Sequence, residues 1–314
     1  MNKKIAAIAG VIIIGVLGVF SATKMLKNNE DVSKSNENTI TIDSELGNVT
    51  IEKNPERVVV FDVPTLDTME ELGIDRVVGV PTSDYNDNLE KYNSDDYTKV
   101  GSLKEIDLEA IKSLNPDLII IGGRQSSYYD KLSEIAPTIL MSKEQTNYLK
   151  SSKGNIDTIA KIFNKEDEVN EKYEKVLSNL SATKEKVNGA EALTVMVNEG
   201  NLSVYNENSR YALIYQELGF KNADETIEDS THGQSVTFEY LSEINPEYLI
   251  ILDRGSAIGK TSTAKTIMEN DIVKSTDASK NGKMIYLDSY TWYINDGGLN
   301  SLNKMAEDIS KNIK

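Results

Sequence analysis

Three arginines stand where this chain could hold an anion. Arg124 closes the run "IDLEAIKSLNPDLIIIGGR" and Arg254 closes "VTFEYLSEINPEYLIILDR", at a constant offset of 130 residues that also matches Asn115-Pro116 with Asn245-Pro246. Each arginine follows an apolar run of the kind that forms a buried parallel strand, and in an open parallel sheet the carboxyl ends of the strands face the ligand crevice. Gly122 and Gly123 precede Arg124 and permit close backbone approach. Arg210, in "NENSRYALIY", sits at the start of a helix, where a cation opposes the helix dipole, so its placement suits contact with an anion better than it suits the helix. Arginines are few and lysines many, and a guanidinium offers a planar two-pronged donor where an ammonium offers a point charge. Taken singly, each arginine could be a solvated surface residue or the partner of one of the many carboxylates, an interaction worth little. Equivalent positions at two strand ends point instead to one anion held between two halves.

The remaining chemistry is narrowed by what the chain lacks. With no cysteine there is no disulfide, thiolate nucleophile or cysteine-held metal. A single histidine, His232, removes zinc sites built on several histidines. His232 lies between Ser230-Thr231 and Gly233-Gln234, in a loop ahead of a helix, a more exposed setting than a core site. It could be a satisfied structural side chain or an isolated contact to a ligand. Hydrolysis by a carboxylate pair stays open on composition, since acids are abundant, but no pair is specially placed. The 50 acidic and 34 basic residues give a net charge of -16, which argues against binding a nucleic-acid backbone or anionic lipid. An anionic ligand needs a local cationic pocket.

The elements that would position these residues follow from periodicity. From Ile40, "TITIDSELGNVTIE" reads as a β-hairpin. "RVVVF", the helix "PTLDTMEELGI" stopped at Gly73, and "RVVGV" begin a strand-helix-strand cadence that the second half repeats, with Glu71 matching Glu217 at an offset of 146. The expectation is an α/β fold of two related lobes, each a mostly parallel sheet flanked by helices, spanning 40–150 and 189–314. Helices over 151–188 join them. Val169, Tyr173, Val176 and Leu180 form one stripe on the second of these, whose roughly 22 residues would run about 33 Å. Residues 1–22 hold two lysines and an apolar run from Ile5 to Phe20, read as an export segment kept as a membrane anchor, or lost on secretion if it is cleaved. Residues 23–39 read as a flexible tether.

"NPERVVVFDVPTLDTMEELGI", "VGSLKEIDLEAIKSLNPDLIIIGGRQS", "NSRYALIY", "STHGQSV", "DRGSAIG" and "IYLDSYTWY" together resemble the iron-siderophore substrate-binding proteins of ABC importers, in the petrobactin and catecholate branch. The resemblance covers nearly everything after residue 40. It implies a class III, helical-linker periplasmic-binding-protein-like fold and a monomeric binding protein, not an enzyme. It implies no intrinsic cofactor, an Fe(III)-siderophore complex as ligand and an ABC permease as partner, outside the cell membrane. By the same resemblance Arg124, Arg210 and Arg254 surround the catecholate oxygens. His232 and Tyr293 complete the coordination of iron when the siderophore supplies four oxygens and merely line the pocket when it supplies six. Glu71 and Glu217 face arginines of the permease. Two departures stand out: relatives are usually lipoproteins, which a chain without cysteine cannot be, and "INDGG" places Asn295 and Asp296 after the "TWY". Asp296 would repel an anionic ligand unless paired to an arginine. Haem or a corrinoid, as ligand of the same transporter class, and an extracellular carboxylate-pair hydrolase are the alternatives.

Overall fold

The computed structural model describes residues 38–261 and 263–313. The expected anchor, 1–22, lies outside the described residues, as does all but the end of the expected tether; Thr39 already belongs to a strand. Strands β1 (Thr39–Ile42) and β2 (Val49–Glu52) form the expected antiparallel hairpin, with Ile42 opposite Val49.

The first lobe runs β3 (Val58–Val60), α1 (Val63–Glu71), β4 (Val77–Thr82), β5 (Thr98–Ser102), α2 (Leu108–Ser113), β6 (Leu118–Gly122), α3 (Tyr129–Ser133) and β7 (Thr138–Met141). Its five strands are all parallel, in the order β5-β4-β3-β6-β7. Successive strand residues point to opposite faces. Val58, Val60, Leu118 and Ile120 therefore join the core beneath α1, while Val59, Ile119 and Ile121 pack with Ile111 and Leu132 on the other side. The chain leaves β3 toward β4 and later returns to β3's other side as β6. That reversal opens a crevice beyond the carboxyl ends of β3 and β6, where ligands of open α/β sheets bind.

Two helices follow, α4 (Tyr148–Phe163) and α5 (Glu166–Val187). The linker helices thus begin three residues ahead of the expected 151. The stripe of Val169, Tyr173, Val176 and Leu180 is buried along the 22 residues of α5. Asn164 and Asn188 close the two helices in the left-handed conformation that asparagine tolerates.

The second lobe contains β8 (Glu191–Asn198), β9 (Asn201–Tyr205), α6 (Ala212–Gln216), β10 (Lys221–Asn222), β11 (Gln234–Val236), α7 (Phe238–Ile244), β12 (Tyr248–Asp253) and α8 (Arg254–Ala257). The short helices α9 (Ala264–Met268), α10 (Asp271–Lys274) and α11 (Asp277–Lys280) lead to β13 (Met284–Tyr286), α12 (Ser289–Tyr293) and α13 (Leu299–Asn312). Its sheet runs β11-β9-β8-β12-β13, with β10 also on β8. Parallel pairing joins β8 to β10 and β12 and joins β12 to β13, while β9 and β11 are antiparallel. The internal repeat is visible in the backbone. Asn115 and Asn245 take φ of 44° and 46° ahead of their prolines, and Gly73 and Gly219 take φ of 63° and 80° behind their helices. The helix α13 packs on α5 and α1, so it lies against the linker and the first lobe.

Candidate functional site

Tyr293 is the point on which both lobes converge. It ends α12, whose start is capped by the Asp288 side chain accepting from the Thr291 amide at 2.7 Å. The neighbouring Trp292 is buried and donates its indole N–H to Asp308 at 3.0 Å, which fixes the helix. The carbonyl of Tyr293 accepts from Arg124 Nη2 at 3.2 Å and from Arg210 Nη2 at 3.0 Å. Its phenol oxygen accepts from Arg254 Nε at 3.0 Å. The three guanidinium carbons lie 5.8, 4.2 and 5.9 Å from the ring centroid, within cation–π range. Burial works against ionisation of the phenol, yet the Arg254 hydrogen bond and the charges of Arg210, Arg254 and Arg124 leave it below its ordinary value.

Each arginine reaches this point by a different local device. Arg124 follows β6 in a turn of 3-10 helix over Gly123–Tyr128. The glycine before that turn accommodates a side chain: a Cβ on Gly122 would come within 2.8 Å of Asp62 Oδ1. Arg254 opens α8 at the end of β12, and its Nη1 donates to Asn198 Oδ1 at 3.0 Å at the end of the adjacent β8. Arg210 departs from expectation. It stands two residues ahead of α6, in a turn held by the Ser209 hydroxyl donating to the Asn206 carbonyl, so the dipole of that five-residue helix does not explain it. Stacking does: its guanidinium lies 5.4 Å from the Tyr211 ring and 4.2 Å from that of Tyr293. Its Nε is buried with no hydrogen-bond partner among the described residues.

The nine ion pairs among the described residues are all made by lysines, so none of these arginines is in direct ion-pair contact with a carboxylate. Asp296, which would repel an anionic ligand if left unpaired, is ion-paired to Lys143 at 2.6 Å, and its charge also acts on Arg210. Lys143 also donates to the Asp296 carbonyl. In the sequence Lys143 is one ordinary lysine among many. Its signal was position, just past the carboxyl end of the parallel strand β7. A cleft of about 300 Å³ opens here, walled by Asp62, Gly123, Arg124, Lys143, Arg210 and Thr231 among others.

His232 is exposed, in a turn that leads to β11 and not directly to a helix. Its hydrogen bonds are backbone ones among the described residues: the amide donates to Ser230 Oγ, and the carbonyl accepts from the Tyr205 hydroxyl at 2.8 Å. Gly233 takes φ of 77°, and a Cβ there would come within 2.7 Å of the Tyr205 ring. The turn places Thr231 in the cleft wall and His232 next to it. Glu71 and Glu217 lie apart from the cleft, at the ends of α1 and α6. Glu71 pairs with Lys172 of α5 at 2.7 Å. Burial, with the charge of Glu217 next, raises the phenol of Tyr173, so both glutamates border the first half of α5.

Among the described residues no group of three His, Cys, Asp or Glu could hold a metal ion, and no helix is long and apolar enough to cross a membrane. Residues 58–291 match the family described as periplasmic binding protein. The petrobactin-binding protein YclQ of Bacillus subtilis is 42% identical over 302 residues, 94% of this chain and 95% of its own length. Its crystal structure aligns with a TM-score of 0.85 at 43% identity, covering 88% of this chain and 99% of that one. The periplasmic catecholate-siderophore binding protein VctP from Vibrio cholerae aligns with a TM-score of 0.81 at 38% identity, covering 87% and 99%. The ferric-anguibactin-binding protein FatB of Vibrio anguillarum is 29% identical over 324 residues, 99% of each chain. With a family match over most of its length and such relatives along nearly all of it, the chain belongs to the periplasmic binding proteins.

Proposed function

We propose that the protein captures a ferric catecholate-type siderophore, petrobactin-like, outside the cytoplasmic membrane and delivers it to an ABC permease for iron uptake. One observation carries the reading: three guanidinium groups from two lobes meet at Tyr293 without a carboxylate on any of them. Arg210 is the costliest of the three, since its buried Nε has no hydrogen-bond partner among the described residues, and a ligand acceptor would offset that cost. Ferric iron wrapped in catecholates is a compact anion with oxygen acceptors on its surface, and guanidinium forks suit such acceptors. By their own descriptions the relatives named above bind petrobactin, ferric anguibactin and a catecholate siderophore. Tyr293, whose phenol the arginines make easier to ionise than usual, is the candidate oxygen donor to ferric iron when a four-oxygen siderophore leaves sites open, and His232 is the candidate second donor. With a six-oxygen siderophore both residues line the pocket. Glu71 and Glu217 are the proposed permease contacts, and residues 1–22 the proposed anchor.

Titration of the protein's Trp and Tyr fluorescence with a ferric tris-catecholate tests the reading. Saturable quenching is expected. Replacing Arg124, Arg210 and Arg254 by Ala should abolish it, since each charge-assisted hydrogen bond contributes about 1.5–3 kcal/mol. Undiminished affinity in the triple variant removes the proposed pocket.

A further inference from the structure

The cleft is not cationic throughout. Asp62 lies two residues beyond β3 and Arg124 two residues beyond β6, and these strands are adjacent and parallel, with Val60 opposite Ile120. A carboxylate and a guanidinium therefore rise side by side from the point where the strand order reverses. Asp62 Oδ2 caps α1, accepting from the Thr65 amide at 3.1 Å and the Thr65 hydroxyl at 2.8 Å. Oδ1 has no hydrogen-bond partner among the described residues, and the missing side chain of Gly122 leaves room for it. The nearby cation, Lys143, makes its direct contact with Asp296 and reaches Asp62 only through its charge. Asp296 is thus ion-paired to Lys143 and also acts on Arg210, whereas Asp62, in the same wall, makes no ion pair among the described residues. Burial raises the Asp62 carboxyl against the opposing pull of Lys143 and Thr65, and Asp296 raises it further. The free oxygen of Asp62 is an acceptor in the cleft wall that no donor of the protein fills among the described residues.

A ligand that is anionic throughout would be drawn to the arginines and repelled beside them. Complementarity requires a ligand of mixed charge. We propose that Asp62 is a specificity-determining acceptor that receives an ammonium or amine N–H on an arm of the chelate, while the metal-bearing head rests on the arginines. The proposal builds on the ferric-catecholate reading of the same cleft and adds a requirement about the ligand's scaffold.

The test compares two ferric catecholate chelates that share donor groups: one carries a secondary amine in its backbone, protonated at neutral pH, and the other is its N-acetylated counterpart. Wild type is expected to prefer the amine chelate about 10–100-fold, the range of one charge-assisted hydrogen bond. Asp62→Asn keeps an oxygen for the helix cap, since Asn caps as well as Asp, and should collapse the ratio toward one. Asp62→Ser, a second capping residue, should do the same. Equal affinities in wild type, or a wild-type ratio that survives both substitutions, overturn the assignment. If neither chelate binds wild type, the ferric-catecholate reading falls and the role of Asp62 with it.

Discussion

At the scale of single residues, Tyr293 is the most constrained group in the site, because arginines of both lobes donate to it. Its phenol is set apart from the buried tyrosines around it. Burial carries Tyr205 and Tyr215 up to about 12, whereas three guanidinium groups bring Tyr293 down. An ultraviolet titration of tyrosine ionisation should therefore contain one step below the ordinary value of about 10, and Tyr293→Phe should delete that step alone. An identical titration in the variant would mean that the arginine charges do not act on this ring. The arginines were legible in the sequence because they are rare and recur at matched strand ends. Lys143 and Asp62 were not, since nothing local separates an ordinary lysine or a helix-capping aspartate from one whose free valence faces a cleft. Asp296 could be flagged as a problem from its place after "TWY", but its partner lies 153 residues away.

At the scale of elements, the parallel strands, the opening hairpin and the long stripe of α5 were visible as periodicity, and the repeated Asn-Pro breaks as left-handed helix ends. The destination of α13 was not. Its amphipathic pattern calls for a partner without naming one. The first turn of α13 supplies two amides, of Asn300 and Ser301, each donating to Asp67 Oδ2 at 2.8 Å from more than 230 residues away. Oδ1 accepts from the side-chain amides of Asn88, Asn295 and Asn300 at 3.0–3.3 Å. Burial raises this carboxyl while the donors hold it down. Since every neighbour donates, Asp67→Asn would set an N–H₂ against an N–H on at least one side. The expected loss in urea unfolding is about 2–4 kcal/mol at neutral pH; a loss under about 0.5 kcal/mol would mean that α13 docks by its apolar face alone. The sign of the pH dependence follows from the raised folded value. Between the unfolded and folded pKa the native state holds more protons, so the contribution of Asp67 declines as pH rises through that window and then levels off.

At the scale of the molecule, the two lobes share one continuous apolar core. Leu66 and Met69 of α1, Ile156 of α4, Val176 of α5, Ile250 and Leu252 of β12, and Leu302 and Met305 of α13 all belong to it. Polar ties cross between the lobes as well: Lys143 to Asp296, Arg124 to the Tyr293 carbonyl, and Asp67 to the start of α13. Gly259, in the "DRGSAIG" segment, lies so close to Asp84 that a Cβ there would collide with its carboxylate. Hinge closure on the scale of many binding proteins would break most of these contacts at once, because packed cores do not deform gradually. Capture of the ligand should instead proceed by small adjustments of side chains and cleft-edge turns. The absence of cysteine makes this directly measurable, since two introduced thiols are the only ones to label. Lys131→Cys on α3 and Lys274→Cys on α10 place exposed spin labels on opposite lobes. Adding ferric tris-catecholate should shift the mean inter-label distance by less than about 2 Å, the range of pre-organised complexes. A larger shift would mean that the shared core opens and closes, and that the α5 and α13 crossings act as hinges and not as struts.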